Sequence, residues 1–182
     1  VFITQAAFLR VCAHAQFDLY NETGGWLLGK RRMDQRSNQQ YIIIEKILPA
    51  PYTRRGRVFL TFTQDSQVTM YDSLVQDFSG KELLGWYHTH PGMGLFLSRY
   101  DLWLHEHFFP ETWKVALVIE PHKNLGGFFI PGRDGEMDPY QYSGFFELNN
   151  HSDHSVVNWN NLKDLPILAG ETETIDGGIK YE

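Results

Sequence analysis

The sequence predicts an α+β domain, and three features of its patterning carry that expectation. Three stretches place apolar residues at helical spacing behind a Thr or Ser in N-cap position. Short runs of β-branched, aromatic and Leu residues lie between and after them, separated by Gly, Pro, Asn and Asp clusters. At 182 residues, with 42% hydrophobic and 15% aromatic content, the chain suits one domain with an ample core.

Taken in order, Thr4 caps a predicted helix with Phe8, Val11, Cys12, Ala15 and Leu19 on one face, and Asn21 to Gly25 breaks it. Trp26 to Met33 and Tyr41 to Leu48 read as strands joined by a polar Asp34 to Gln40 turn. Pro49 to Gly56 is a loop and Val58 to Phe62 a strand. Thr63 opens a second helix with Val68, Tyr71, Val75 and Phe78 at helical spacing. Leu83 to His88 is strand-like, and Pro91-Gly92 stops it. Ser98 then caps a third helix whose apolar positions are Tyr100, Trp103, Leu104, His107 and Phe108. Strands follow at Trp113 to Glu120, Leu125 to Ile130 and Gly144 to Leu148, and no internal repeat is visible. The expected division is a domain over residues 1–148 and a polar, acidic extension over 149–182, docked or flexible. Within that extension Val156 to Leu168 has residues that can dock, whereas Gly170 to Glu182 is acidic with little to bury.

One array stands out: His88-x-His90-x7-Ser98-x2-Asp101. Residues two apart on a strand share a face, so His88 and His90 can converge on one ion. Asp101 falls in the first turn of the following helix, and a strand end meeting a helix start brings the three together. Two imidazoles and a carboxylate leave a fourth position for water, the pattern of a catalytic zinc site. A closed thiolate site is excluded, because Cys12 is the single cysteine. Ser98-x-x-Asp101 also has a purely structural reading as a helix start. Glu22, 66 residues upstream of His88, precedes a Gly-rich strand-like run and would alone be read as a surface residue.

Glu22, Gly25 and Gly29 in a Glu-x2-Gly-x3-Gly pattern, with Gly85-Trp86-Tyr87-His88-Thr89-His90-Pro91-Gly92, Leu97-Ser98 and Asp101 downstream, resemble the JAMM (MPN+) metalloproteases. The resemblance runs roughly from Ala7 to Leu148 and lacks no position of the pattern. That family includes deubiquitinases and prokaryotic deubiquitinase-like members encoded beside ubiquitin-like conjugation enzymes. It implies a curved mixed sheet with flanking helices around a cytidine-deaminase-like core. It also implies Zn2+ held by His88, His90 and Asp101, Glu22 as general base and Ser98 as oxyanion donor. The implied partners are a ubiquitin-like protein or its conjugates, together with activating or conjugating enzymes of the same pathway. By the same resemblance Val58, Phe59, Leu60 and Thr61, beside the basic Pro51 to Arg57 loop, would line the groove for an extended substrate tail. An ordinary solvated loop is the alternative for that segment. Pro131 to Tyr142 matches the family's other variable insertion and is read as a connector.

The implied activity is a zinc-dependent isopeptidase that hydrolyses the bond after a ubiquitin-like C-terminal Gly. Two alternatives belong to other classes: a gated scaffold subunit of a larger complex, and a hydrolase acting on a sulfur-carrier conjugate. Zinc deaminases are excluded because their Pro-Cys-x-x-Cys ligands are absent. The net charge of −6 argues against a nucleic-acid partner. No signal-peptide pattern and no apolar run long enough to span a bilayer are found, and a lone Cys12 suits a reducing compartment. A cytoplasmic protein without a membrane partner is expected. Trp86 and Tyr87 are expected to pack or shape the groove and His107 to pack; His105, one helical turn after Asp101, is either behind the ligands or simply exposed, and exposed is the favoured reading. His14, His122, His151 and His154 are read as surface histidines.

Overall fold

Thr4 ends a short strand and caps the helix that follows, its hydroxyl oxygen accepting from the Ala7 N–H at 3.3 Å. The computed structural model describes residues 1–51 and 53–162. Among these the strands are β1 (Phe2–Thr4), β2 (Gly24–Met33), β3 (Gln40–Pro49), β4 (Arg54–Gly56), β5 (Phe59–Thr61), β6 (Glu82–Thr89), β7 (Val115–Glu120), β8 (Leu125–Phe129) and β9 (Phe146–Leu148). The helices are α1 (Gln5–Ala15), α2 (Gln64–Gln76) and α3 (Arg99–Phe108). Seven strands form one mixed sheet in the order β8-β7-β6-β2-β3-β1-β9, and β4 and β5 make a separate antiparallel hairpin. The α+β class expected from the sequence is the one found.

Two apolar layers cover the sheet. On one face α1 packs Ala7, Phe8, Val11 and Ala15 against Leu27, Ile44, Tyr87 and Leu117. On the other, Met70 of α2 and Leu104 of α3 meet Trp26, Leu28, Trp86 and Val118. An extra residue in β6 decides which face its histidines take. Leu27 pairs with Gly85 but Leu28 with Leu83, leaving Leu84 unpaired in the β2–β6 ladder. Leu84 therefore faces the α1 side, whereas Trp86 faces the α3 side. Gly85 at the bulge has φ +150°, and a Cβ there would lie 1.9 Å from the Val115 carbonyl oxygen, so no side chain fits.

Several elements differ from expectation. The helical stripe Val68, Tyr71 and Val75 faces solvent, while Ser66 and Met70 are buried. The Ser66 hydroxyl donates to the Pro51 carbonyl, which locks the i, i+4 row of Ser66 and Met70 onto the sheet instead. Leu19 lies beyond α1, which ends at Ala15. β1 has no counterpart among the expected elements, because three residues carry no detectable period; it pairs parallel with β3 and β9. The Pro49 to Gly56 loop contains β4, and the strand expected over Val58 to Phe62 shortens to β5 with Val58 in the turn. The last strands are shorter than expected, starting at Val115 and Phe146 and, for β8, ending at Phe129.

The polar segment after Leu148 turns back over α1. Gln5, itself fully buried, accepts from the N–H groups of His151 and Ser152 and donates to the His154 carbonyl at 2.9 Å. Asn150 accepts from the Ala6 N–H, one of the unpaired donors of the first turn of α1. Trp159 is fully buried between Phe8, at 4.8 Å between centroids, and Phe145, at 5.6 Å. The part of the extension from 163 onward lies outside the described residues. Replacing Trp159 with Ala should cost about 3–5 kcal/mol of folding stability. Chemical denaturation measures it; a loss below about 1 kcal/mol would show that this segment adds little to the core.

Candidate metal centre

The site stands where β6 runs out against the start of α3. Gly24 pairs with His88, and the next step of the same ladder is Thr89 N–H donating to the Thr23 carbonyl at 2.8 Å. Carried one residue further, this antiparallel register sets Glu22 opposite His90. Glu22, Gly24, His88 and His90 thus share one side of the β2–β6 pair. Gly24 leaves that side clear, since a Cβ there would meet the Tyr87 carbonyl oxygen at 2.4 Å and the His88 Cβ at 3.3 Å.

Asp101 comes to this side from α3 through a capping box. The Asp101 N–H donates to Ser98 Oγ at 3.1 Å, and the Ser98 N–H donates to Asp101 Oδ2 at 2.7 Å. The cap fixes the carboxylate in the first turn, facing inward. His88 Nε2 then lies 3.5 Å from Asp101 Oδ1, His90 Nε2 lies 3.7 Å from Oδ2, and the two Nε2 atoms are 2.9 Å apart. One ligand atom from each of the three lies within 4.8 Å of the others. Glu22, His88, His90 and Asp101 are all buried.

Burial sets the charges here. Glu22 is pushed up to about 7 by loss of solvent, opposed by attraction to His88 and assisted by repulsion from Asp101. Burial also opposes ionisation of Asp101, yet the His88 charge and the hydrogen bonds from His88, His90 and Ser98 hold it well below the carboxylate range. Desolvation pulls His88 down, but Asp101 and then Glu22 outweigh it and its pKa rises. His90 falls, through burial first and the neighbouring His88 charge as well, against the pull of Asp101. Two imidazole nitrogens and a carboxylate converge here, with a second carboxylate beside them. That donor set fits a divalent cation such as zinc.

Other predicted residues fall at the margin. β5 pairs with β4 as Arg54 with Thr61, Arg55 with Leu60 and Gly56 with Phe59. Val58 and Phe59 are exposed, whereas the Leu60 side chain packs in the core beside Gly24. The Gly56 carbonyl accepts from the Glu22 N–H at 2.9 Å, so the hairpin is tied to the carboxylate's own backbone. The connector over Pro131 to Tyr142 leans on the loop before Ser98, with the Leu97 N–H donating to the Pro139 carbonyl at 2.8 Å.

Three residues near the site differ from, or were absent from, the sequence reading. His105 is buried, not exposed, because turning Asp101 inward carries the residue one helical turn later inward too. His107 is exposed, against Trp103 at 4.6 Å, for the same reason. Glu120 is fully buried and accepts from the N–H groups of Gly92, His122 and Lys123, clamping the turn that follows His90. A carboxylate at the end of an apolar strand was its only sequence signal. Of the remaining histidines, His14 is half-buried and hydrogen-bonds to the Tyr87 hydroxyl at 2.9 Å, while His122, His151 and His154 are exposed.

This fold and site define a class. The profile of the JAB1/Mov34/MPN/PAD-1 ubiquitin protease family matches residues 1–110, and the chain belongs to that family. Among its relatives, the ubiquitin carboxyl-terminal hydrolase RPN11 of Saccharomyces cerevisiae is 27% identical over 128 residues, which is 70% of this chain and 40% of the yeast protein. The 26S proteasome non-ATPase regulatory subunit 14 of Caenorhabditis elegans is 27% identical over 170 residues, 93% of this chain and 52% of the worm protein. The chain spans about half, or less, of the length of these relatives. The solution structure of a Desulfitobacterium hafniense protein shares the fold with a TM-score of 0.61 at 22% identity, covering 84% of this chain and 96% of that one. Among the described residues no helix is long and apolar enough to cross a membrane.

The Glu22 shift has a consequence for the metal-free protein. The folded carboxyl keeps its proton up to about 7, whereas an ordinary one loses it near 4.5. Between those values the folded state binds the extra proton, so this group's contribution to stability falls as pH rises through the window. Glu22→Gln should therefore gain roughly 1–3 kcal/mol relative to wild type at pH 8 compared with pH 4, read from paired denaturation curves. Parallel pH profiles would show that Glu22 titrates as an ordinary carboxylate.

Proposed function

We propose that the protein is a zinc-dependent isopeptidase that cleaves after the C-terminal Gly of a ubiquitin-like protein, freeing it from a conjugate or processing it. The observation that carries this reading is the convergence of His88, His90 and Asp101 within 4.8 Å on the side of the sheet that Glu22 also occupies. His88 and His90 would hold the ion through Nε2, and Asp101 through a carboxylate oxygen. Bound zinc supplies Lewis acidity, which makes water nucleophilic near neutral pH and polarises a carbonyl, so no nucleophilic side chain is needed.

The chain's own groups do the rest. Glu22, with its pKa near 7, is matched to taking a proton from the attacking water and returning it to the leaving amine. Ser98 Oγ accepts from the Asp101 N–H, which leaves its own hydrogen to donate to the developing oxyanion. The β4–β5 hairpin has one edge of β5 outside the ladder, suited to main-chain pairing with an extended tail. A cytoplasmic setting, a ubiquitin-like protein as partner and the enzymes of its conjugation pathway complete the proposal, with residues 1–148 as the catalytic domain. The family membership and the likeness to RPN11 support it.

A second reading rests on burial. Glu22 is 2% exposed, His88 0%, His90 1% and Asp101 3%, so little of these four side chains faces solvent in the isolated chain. A subunit gated by a partner would behave this way.

Removing Glu22 as a base separates these roles. Glu22→Gln should keep about one zinc per chain and the fold while slowing single-turnover cleavage of a ubiquitin-like fusion ~10²- to 10⁴-fold. Ala at His88, His90 or Asp101 should instead lose the metal. Full zinc occupancy in all three Ala variants would sink the ligand assignment, and near-wild-type cleavage by Glu22→Gln would place the base elsewhere. A wild-type chain that holds zinc and cleaves nothing until a partner is added supports the gated reading.

A further inference from the structure

We propose that His105 is a positioning residue for the His88 imidazole, acting through the indole of Trp86. The proposal deepens the reading of His88 as a zinc ligand and rests on it.

A zinc-binding imidazole usually donates its second ring N–H to a carboxylate or carbonyl, which fixes the plane of the ring. Among the described residues His88 has no such support: its Nδ1 is buried without a hydrogen-bond partner. What lies against the ring instead is Trp86, stacked with centroids 4.5 Å apart and planes within 10°. The Trp86 indole is in turn stacked with Phe109, at 5.9 Å between centroids and 12° between planes. Face-to-face contacts of this kind resist tilting but leave sliding and in-plane rotation soft. A directional bond is needed to fix the indole, and the structure holds one. Trp86 Nε1 donates to His105 Nδ1 at 3.1 Å, in the interior.

That bond also fixes the state of His105. An indole N–H only donates, so Nδ1 must be the accepting nitrogen and the proton of the neutral ring sits on Nε2. Burial first, and Lys114 second, push the His105 pKa down to about 4, which keeps the accepting form at neutral pH. His105 is carried by α3, the same helix that delivers Asp101 one turn earlier. The helix therefore reaches the ion by two routes. One is the Asp101 carboxylate; the other runs from His105 through Trp86 to the plane of His88. A shift of α3 would disturb both together.

The test compares His105→Leu, His105→Gln, Trp86→Phe and the Trp86→Phe/His105→Leu pair. Zinc affinity is measured by chelator competition, and the absorption spectrum of the cobalt-substituted protein reports ligand geometry independently of activity. His105→Leu should weaken zinc binding 10- to 100-fold and shift the cobalt bands, the usual range for losing an outer support of a ligand. His105→Gln should restore most of both, because its amide oxygen can accept from the indole. Trp86→Phe keeps a stacked ring but no donor, so it should reproduce the loss, and adding His105→Leu to it should change nothing more. Trp86→Phe carries the test by itself if His105→Leu does not fold. Wild-type affinity and spectrum in His105→Leu or Trp86→Phe would overturn the proposal, as would full additivity in the pair or a glutamine variant no better than leucine. His88→Ala serves as the reference. If it binds zinc as wild type does, the ligand assignment fails and the proposal with it; if it loses zinc while the other variants do not, only the proposal fails.

Discussion

The register between β2 and β6 is the constraint on which the rest of the site depends. Gly24 opposite His88 and Thr23 opposite Thr89 put Glu22 on the same side as both histidines. A one-residue slip in that ladder would send the histidines to the α1 face and leave Glu22 behind. The bulge at Leu84 protects the arrangement from the other end. It lets β6 fill the α1-side core with Leu84 and still turn Trp86 and His88 toward α3. Side chains that fit only at Gly85 and Gly24 as hydrogen atoms make both choices costly to undo.

From there, α3 is committed. Its capping box holds Asp101 inward, and with it Leu104 and His105 take the buried row. The cost is borne by the aromatic stripe: Tyr100 and Trp103 are 39% and 44% exposed. A helix packed for apolar burial alone would have buried those rings, each worth a few kcal/mol by area. The site and the core therefore compete for the orientation of one helix, and the polar site wins because two cap hydrogen bonds and the His88–Asp101 attraction act together where both side chains are buried. The same competition appears on α2, where the Ser66 bond to Pro51 outweighs a longer apolar stripe.

The carboxylates show how far environment separates identical chemistry. Asp101 faces two imidazoles and a helix N-terminus and stays ionised. Glu22 enters from a strand end with no donor aimed at its carboxylate among the described contacts, and burial keeps its proton to about 7. One is suited to hold a cation and the other to carry a proton. Their difference follows from which element presents each group.

The α+β class, the three helices with their Thr4, Thr63 and Ser98 caps, and the His88, His90, Asp101 array were legible because each is local: caps, period and spacing act within a few residues. Glu22 was legible only by resemblance, since its meaning depends on a partner strand 66 residues away. Sequence alone misassigned His105 and the outward stripes of α2 and α3. Helical spacing shows which residues share a face, but not which face the sheet receives. Only the tertiary structure decided that, through the β2–β6 register and the inward turn of Asp101. It also decided that Trp159, within the Val156 to Leu168 stretch expected to be able to dock, is the residue that closes the core against Phe8 and Phe145. A stretch this short has no period to show which of its residues is buried, and that burial is fixed by a hole that the rest of the fold creates.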